Sequence, residues 1–567
     1  MRAIVRGLRR WLRLVAVVLI LAGIVTAIAF PQAAWNAIQL PLFAFFSTTR
    51  MVIAYLFALV FAIAYGHTAA TNKRASAALL PLLDVLQSIP ILGFFPAALI
   101  FFVATFHGHP IGIEFAVVFL IFTSMAWNMA FGVYESLTTI PADLEAAAAS
   151  FGLRGWLRFR YLAFPAAIPK LVYNSILSWT NGWFFLVASE IFSAGGTEFQ
   201  RPGLGAFIAV AGRNGDIPSI AIGIAVLAAV VLTLDIFVWR PLGAWSERFR
   251  METAPGREIP RVPSPYERFR WLPRLPKVRK RIIASVQPAL ERYHRLSLRF
   301  ERAYTQHPKA VREIRRVDLA LFVVVFVVVV ATGLVGLAQM FLRPLPPNAS
   351  LLPSAAELSF SRLLVAYAIA LVWTIPVAAM LGESQRAARY LTPALELFAS
   401  LPATALLPVI VGFALLLAPS VGAAAQLAAI LIALFSMQWY LLFNLIAGVR
   451  SIPDDLKEAA RSFGLRGRAY WKRLLLPAIA PSLLTGSITA WGAGWNALIV
   501  SEYIQYAHQF YEVPGLGSLL NHAVYPTPDN EMLLLTILTM IVVVLAMNKL
   551  LWRPLFRRAS SRFRLEV

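Results

Sequence analysis

The 567-residue chain contains no cysteine, which removes disulfides, thiolate-held metals, iron–sulfur clusters and cysteine nucleophiles together. A phosphate-cradling P-loop requires Gly-x-x-x-x-Gly-Lys followed by Ser or Thr. None of the eight lysines (Lys73, Lys170, Lys277, Lys280, Lys309, Lys457, Lys472, Lys549) is followed by either. Any ATP hydrolysis therefore belongs to a separate subunit. His107-Gly-His109 has donor atoms for a metal but no nearby third ligand, and reads more simply as a solvated loop. No catalytic cluster emerges, and no metal or cofactor is expected in this chain.

What remains is polar chemistry set in apolar sequence. Gln87 and Ser88 lie in one apolar block and Ser400 and Thr404 in another. Two further blocks carry Trp179, Asn181 and Trp183, and Trp491, Trp495 and Asn496. Polar groups at membrane depth are costly, so they mark a pathway or hold helices together. No Lys or Arg stands at mid-depth. An anion would be held by hydroxyls, amides, indole N–H groups and the amino termini of broken helices, which Pro90, Pro96, Pro402 and Pro408 would supply. These ten residues are candidate pathway lining; interhelical glue and packing are the plainer alternatives. Glu190 follows Pro169 by 21 residues, a rise of roughly 32 Å. That places it, and Glu502, near the outer surface, where a gate or a structural hydrogen bond suits a carboxylate better than anion contact.

The elements that position these residues follow from composition. The chain is 59% hydrophobic and 14% charged, against about 45–50% and about 25% in soluble domains. Twelve blocks are long enough for a membrane helix: 14–30, 50–66, 82–106, 110–134, 168–192, 218–238, 318–342, 363–382, 394–418, 422–448, 482–504 and 532–552. The net charge of +23 is carried between the blocks, on alternate sides. With the amino terminus inside, Arg2, Arg6, Arg9, Arg10, Arg13, the loops near 135–167 and 450–480, the segment 239–316 and the tail Arg553–Arg564 are all cytoplasmic. The opposite loops 105–110, 416–424 and 505–531 contain no Lys or Arg. A cleaved signal is the alternative for the first block, but its apolar run is longer than a signal core and 318–342 takes its place in the second half.

The chain is two copies of one unit. A shift of 312 residues brings Arg50 onto Arg362, Tyr55 onto Tyr367, Pro90 onto Pro402 and Trp127 onto Trp439. The same shift aligns Trp179 with Trp491, Ser189-Glu190 with Ser501-Glu502, and Pro202-Gly-Leu-Gly205 with Pro514-Gly-Leu-Gly517. Six spans per unit give both the same orientation and a pseudo-two-fold axis along the membrane normal. The expected divisions are 1–240, a linker 241–317, and 318–567. The joint, 239–316, holds 20 Lys or Arg against seven Glu, a difference of +13, with a proline-rich first part and a helix expected from Arg281 to Asp318. It reads as a solvated tether or, alternatively, as an attachment to anionic lipid.

The longest run identical in both halves is outside the membrane: Ser150-Phe-Gly-Leu-Arg-Gly155 and Ser462-Phe-Gly-Leu-Arg-Gly467. Each follows Ile-Pro and an acidic, alanine-rich stretch, the signature of a short helix stopped by glycine. Downstream, Pro165 and Pro169, and Pro477 and Pro481, are expected to break the chain before it re-enters the membrane.

Glu458-Ala459-Ala460, Gly464 and Leu475-Leu-Pro477 resemble the EAA loop of permease subunits of bacterial ATP-binding-cassette importers, and the duplicated chain is similar to the anion-type permeases of the nitrate, sulfonate and taurine class. The resemblance implies an all-α, polytopic pair of six-helix type I permease domains in the bacterial inner membrane, both termini cytoplasmic. It implies two ATPase subunits, with their ATP and Mg, docked on Glu145, Ala147, Gly152, Arg154 and on Glu458, Ala459, Ala460, Gly464, Arg466. It implies an extracytoplasmic solute-binding protein as third partner. The first half departs from the pattern: Ala146 occupies the glutamate position and Glu145 stands one residue early, about 100° around the helix. The rival is an ion-coupled carrier of two six-helix repeats, for which only Asp84 and Glu396 offer acids. A membrane enzyme lacks its catalytic cluster.

Overall fold

The computed structural model describes residues 37–194, 197–249, 344–524 and 528–562. The expected spans 14–30 and 318–342, and the helix expected at 281–318, lie outside the described residues. The first half runs α1 (Leu40–Thr71), α2 (Lys73–Ser88), α3 (Ile91–Thr105), α4 (Pro110–Thr138), α5 (Ala142–Ser150), α6 (Phe164–Glu190), β1 (Ile191–Ala194), β2 (Thr197–Gln200), α7 (Leu204–Arg213) and α8 (Ile217–Leu234). The second repeats that order: α9 (Leu352–Glu383), α10 (Gln385–Ala399), α11 (Ala403–Leu417), α12 (Val421–Arg450), α13 (Asp454–Ser462), α14 (Leu476–Ser501), β3 (Tyr503–Tyr506), β4 (Gln509–Glu512), α15 (Leu516–His522) and α16 (Asn530–Met547). Among the described residues, seven helical runs are long and apolar enough to cross a membrane, those containing α1, α4, α8, α9, α12, α14 and α16.

The third expected span of each half is not one helix. The chain is extended at Ile89-Pro90 and again at Pro402, leaving α3 and α11 at 15 residues each. Proline has no N–H to give, and it disfavours helical geometry in the residue before it. Of the four prolines expected to break helices, Pro90 and Pro402 do so, whereas Pro96 and Pro408 sit inside α3 and α11.

The loop prolines also act differently from expectation, because Gly155 to Glu190 is one uninterrupted helical run through a π turn at Phe159–Ala163. Matching π turns occupy Asp235–Trp239, Trp471–Leu475 and Asn548–Trp552. Each ends two residues before a proline (Pro165, Pro241, Pro477, Pro554). A proline within an α-helix clashes with the carbonyl one turn back, and the wider π turn removes that clash without ending the helix.

Small residues let the helices of each half approach closely. One face of α1 buries Ala54, Ala58, Ala62 and Gly66. A Cβ on Gly66 would lie 2.7 Å from that of Val133 on α4, so only glycine fits there. Between the halves, the short helices cross over: α3 packs on α14 and α16, while α11 packs on α6, α7 and α8.

The end of each half away from α5 and α13 is organised by a buried carboxylate. Glu190 is fully buried; its Oε1 accepts from Ser47 Oγ at 2.6 Å and Arg50 Nη1 at 2.9 Å, and its Oε2 from the Gly205 N–H at 2.7 Å. Arg50 also donates to the Pro202 carbonyl, and the Leu204 N–H donates to Ser47 Oγ. The second half repeats every contact: Glu502 accepts from Ser359 at 2.7 Å, Arg362 at 2.7 Å and the Gly517 N–H at 2.7 Å. Arg362 likewise donates to the Pro514 carbonyl, and the Leu516 N–H to Ser359. The repeated Pro-Gly-Leu-Gly thus has a steric cause. A Cβ on Gly203 or Gly515 would stand 2.2 Å from a carboxylate oxygen. The halves differ in one respect: Arg50 pairs with Glu114 as well, which also holds Arg201, whereas Arg362 meets neutral Gln426.

At the same end each half has a two-stranded antiparallel hairpin, which the hydropathy pattern does not mark. The β3–β4 turn places Ala507 (φ 48°) and His508 (φ 61°) in the left-handed region, where the first half's sequence has Gly195-Gly196. The Ala507 and His508 N–H groups donate to the carbonyls of Gly212 and Arg213, at the carboxyl end of α7 in the other half.

Two outcomes are expected. Glu502→Ala leaves a buried guanidinium without a charged partner and should cost about 3–5 kcal/mol. Glu190→Ala should cost less, because Arg50 retains Glu114; melting temperatures of the solubilised variants compare them. Ala507→Gly with His508→Gly should strengthen the docked turn by about 1–2 kcal/mol per residue, read as slower amide exchange at both positions.

Candidate functional site

The ten polar and aromatic residues expected along a pathway separate into two groups. Trp179 and Trp183 on α6, and Trp491 and Trp495 on α14, are buried in side-chain clusters. Trp179 meets Tyr55, Trp183 and Trp239 with ring centroids 5.7, 6.4 and 5.3 Å apart. Trp491 meets Tyr367 and Trp552 in the mirrored arrangement. Their indole N–H groups have no hydrogen-bond partner among the described residues. Such rings bind α1 to α6, and α9 to α14, by burial of aromatic area.

The other group lies where the halves meet. Asn496 Oδ1 accepts from the Leu92 N–H at 3.1 Å, capping the buried amino end of α3 from the opposite half. Thr404 Oγ1 donates to the Phe184 carbonyl at 3.0 Å, and Tyr440 Oη donates to Asn181 Oδ1 at 3.3 Å. Gln87 is exposed, Ser400 half-buried, and the side chain of Ser88 lies outside the described residues.

The contacts of Asn181, Phe184 and Asn496 identify which faces of α6 and α14 look toward the other half. Residues recurring every three or four positions share a helix face. On α6 the continuation of that face toward α5 is Thr180, Leu177 and Tyr173, all exposed. On α14 it is Gly492, Thr489 and Thr485, also exposed. These faces of α6 and α14 therefore meet the opposite half near the hairpins and are parted from it toward α5 and α13, where they carry hydroxyls and no charge, although α2 still packs on α16.

The short helices α5 and α13 stand at the parted end. Each starts after proline and closes with a glycine at positive φ, Gly152 at 68° and Gly464 at 71°. The following Leu153 and Leu465 N–H groups return to the Ala148 and Ala460 carbonyls, a Schellman-type closure that needs the left-handed glycine. Ala148 and Ala460 face inward, whereas Ala147, Ala459, Arg154 and Arg466 are exposed. Phe151 and Phe463 are 82% and 83% exposed, an unusual placement for large apolar side chains. Glu145 and Glu458 are in different circumstances. Glu145 accepts from both Nε and Nη2 of Arg158, the hydrogen bond holding that guanidinium above its ordinary pKa against the lowering effect of burial. Glu458 is exposed and has no ion-pair partner among the described residues.

His109 proves to be a helix cap: its Nδ1 accepts from the Ile111 N–H at 3.2 Å. No group of three potential metal ligands occurs among the described residues. The Arg50–Glu190 and Arg362–Glu502 pairs, and the Tyr440–Asn181 contact, were missed from sequence. The signal for the pairs was present, since Arg precedes Glu by 140 residues in both halves.

The family model of the binding-protein-dependent transport system inner membrane component matches residues 54–240 and again 370–551. The nitrate import permease protein of Leptolyngbya laminosa is 28% identical over 194 residues, 34% of this chain and 63% of the relative. The taurine transport system permease protein of Escherichia coli (strain K12) is 29% identical over 166 residues, 29% and 55% of the two chains. The bicarbonate transport system permease protein of Synechococcus elongatus is 26% identical over 203 residues, 36% and 66%. The matches thus span between about half and two thirds of those relatives' lengths. Two family domains in one polypeptide, together covering more than half of it, agree with the doubled fold: the chain is a multi-span membrane protein belonging to the binding-protein-dependent transport system inner membrane component family.

Proposed function

We propose that the chain is the fused permease of an ATP-driven importer of small anions, with the pathway running between α6 and α14 and with α5 and α13 as the seats of two ATPase subunits. The observation that carries this reading is the pair of α6 and α14 faces, held to the other half at one end and exposed toward the end where two matching helices expose phenylalanines. Exposed apolar side chains at equivalent positions suit a partner that binds twice. The ATPase subunits bring ATP and Mg, and a solute-binding protein delivers substrate at the hairpin end.

Basic residues support the orientation. Arg154, Arg158, Arg160, Arg450, Arg466 and Arg468 gather around α5 and α13, so that end is cytoplasmic by the positive-inside rule, as are both termini. The arrangement then corresponds to an inward-facing state. Residues 1–240 and 318–567 form the two permease domains, and 241–317 tethers them with both units the same way up.

A pathway bordered by Tyr173, Thr180, Thr485 and Thr489 offers hydroxyl donors without a fixed cation, a modest field that binds a small oxyanion and lets it go. The nitrate, taurine and bicarbonate permeases among the relatives make those solutes the first to test. The ion-coupled alternative needs an acid free to titrate at depth. Glu190 and Glu502 are instead locked to arginines, Glu396 lies near Arg240, Asp235 and Arg450, and the side chain of Asp84 lies outside the described residues.

Reconstituted with its ATPase subunits and binding protein, the chain should take up at least one of nitrate, taurine or bicarbonate in an ATP-dependent manner. Thr489→Trp should reduce uptake at least tenfold while the ATPase subunits stay bound; undiminished uptake would place the pathway elsewhere. Deleting Glu458–Gly464 should release an ATPase subunit, and a deletion that keeps full binding and uptake would remove α13 from the docking role.

A further inference from the structure

The two docking helices share a scaffold but not a chemistry. Both expose a phenylalanine at the same place, and both expose an aspartate at the same register position, Asp143 and Asp455. Beyond that they diverge. On α5 the acid Glu145 is folded back onto Arg158 of its own half, and Ala146 and Ala147 are what the helix turns outward. On α13 the position of Ala146 is taken by exposed Glu458 and that of Glu145 by Lys457, which is largely covered and lies 3.5 Å from Asp454. The Arg158 position is Tyr470, whose hydroxyl goes to Glu383, so no guanidinium there is available to draw Glu458 inward.

Resting on the docking reading above, we propose that the ATPase seats are unequal. The α13 seat takes a basic side chain of the ATPase through Glu458, and the α5 seat holds by apolar packing around Phe151 with no such contact. A charge-assisted hydrogen bond strengthens one seat, and salt screens it because Glu458 is exposed. The tighter seat at low ionic strength is therefore α13, and the difference fades as salt rises. Motor engagement is one-sided: the α13 seat fills first, and the α5 seat fills once the other is occupied.

The test uses the full chain in nanodiscs without nucleotide, titrated with the ATPase subunit that copurifies with it, and counts bound copies by native mass spectrometry. The wild type should bind in two steps separated by about tenfold in concentration at low sodium chloride and in one step at high sodium chloride. Glu458→Gln should merge the steps at every salt concentration by weakening the first. Ala146→Glu should merge them at low salt by strengthening the second. Equal seats in the wild type at low salt, or an undisturbed tight step in Glu458→Gln, would overturn the inference. If deleting Glu458–Gly464 leaves both copies bound with wild-type affinity, the docking reading itself fails. If that deletion abolishes one step while Glu458→Gln changes nothing, docking stands and the inequality falls.

Discussion

A carboxylate with no access to solvent must be given opposite charge and donors, or it will not stay ionised. Glu190 and Glu502 receive three donors each: a guanidinium, a serine hydroxyl and a backbone N–H. Satisfying them brings together four separated parts of each half: the outer stretch of the first described helix, the end of the fifth span, the chain leaving the hairpin, and the helix after it. The two glycines of Pro-Gly-Leu-Gly belong to the same requirement, since any side chain there would occupy the space of the carboxylate or of the α6 and α14 backbone. With this corner rigid, the hairpin and α7 or α15 have a fixed platform, and the remaining freedom of each half lies at the opposite end.

That freedom is used unevenly along the contact between halves. Near the rigid corners, α3 and α11 cross into the opposite half, where Asn496 caps one helix and Thr404 holds a carbonyl. Toward α5 and α13 the same helix faces are exposed. On the function proposed above, faces held at one end and free at the other would let the free ends approach and separate while the corners stay fixed. The π turns at the entrances to α6 and α14 join the segments after α5 and α13 to those helices without a break, so each segment and its helix form one continuous body.

Much of this was legible in the sequence because lipid and duplication both write strong signals. Long apolar blocks, the alternation of basic flanks and an ungapped 312-residue shift gave the class, most spans and the pairing of α5 with α13. The failures have physical reasons. Breaks were expected at Pro90, Pro96, Pro402 and Pro408, and only Pro90 and Pro402 make them, because hydropathy and proline position alone do not say which proline ends a helix and which is carried inside one. The loop prolines looked like breaks because a π turn has no compositional mark. Trp179, Trp183, Trp491 and Trp495 looked like pathway candidates because an indole reads as polar and aromatic alike, whereas their surroundings are Tyr55, Tyr367, Trp239 and Trp552. Arg50 and Arg362 were aligned with each other but not with Glu190 and Glu502, since a partner 140 residues away lies beyond any local pattern.

Joining the halves in one polypeptide alters what substitution can explore. In a two-fold assembly of identical chains every replacement is made twice, so a residue that suits one side of the axis is imposed on the other. Here, at positions related by the 312-residue shift, Glu114 corresponds to Gln426, Gly195-Gly196 to Ala507-His508, and Ala146 to Glu458. Each departure is tolerated because it occurs once, and covalent linkage guarantees that the two unlike surfaces are always made in equal number and meet each other rather than their own kind.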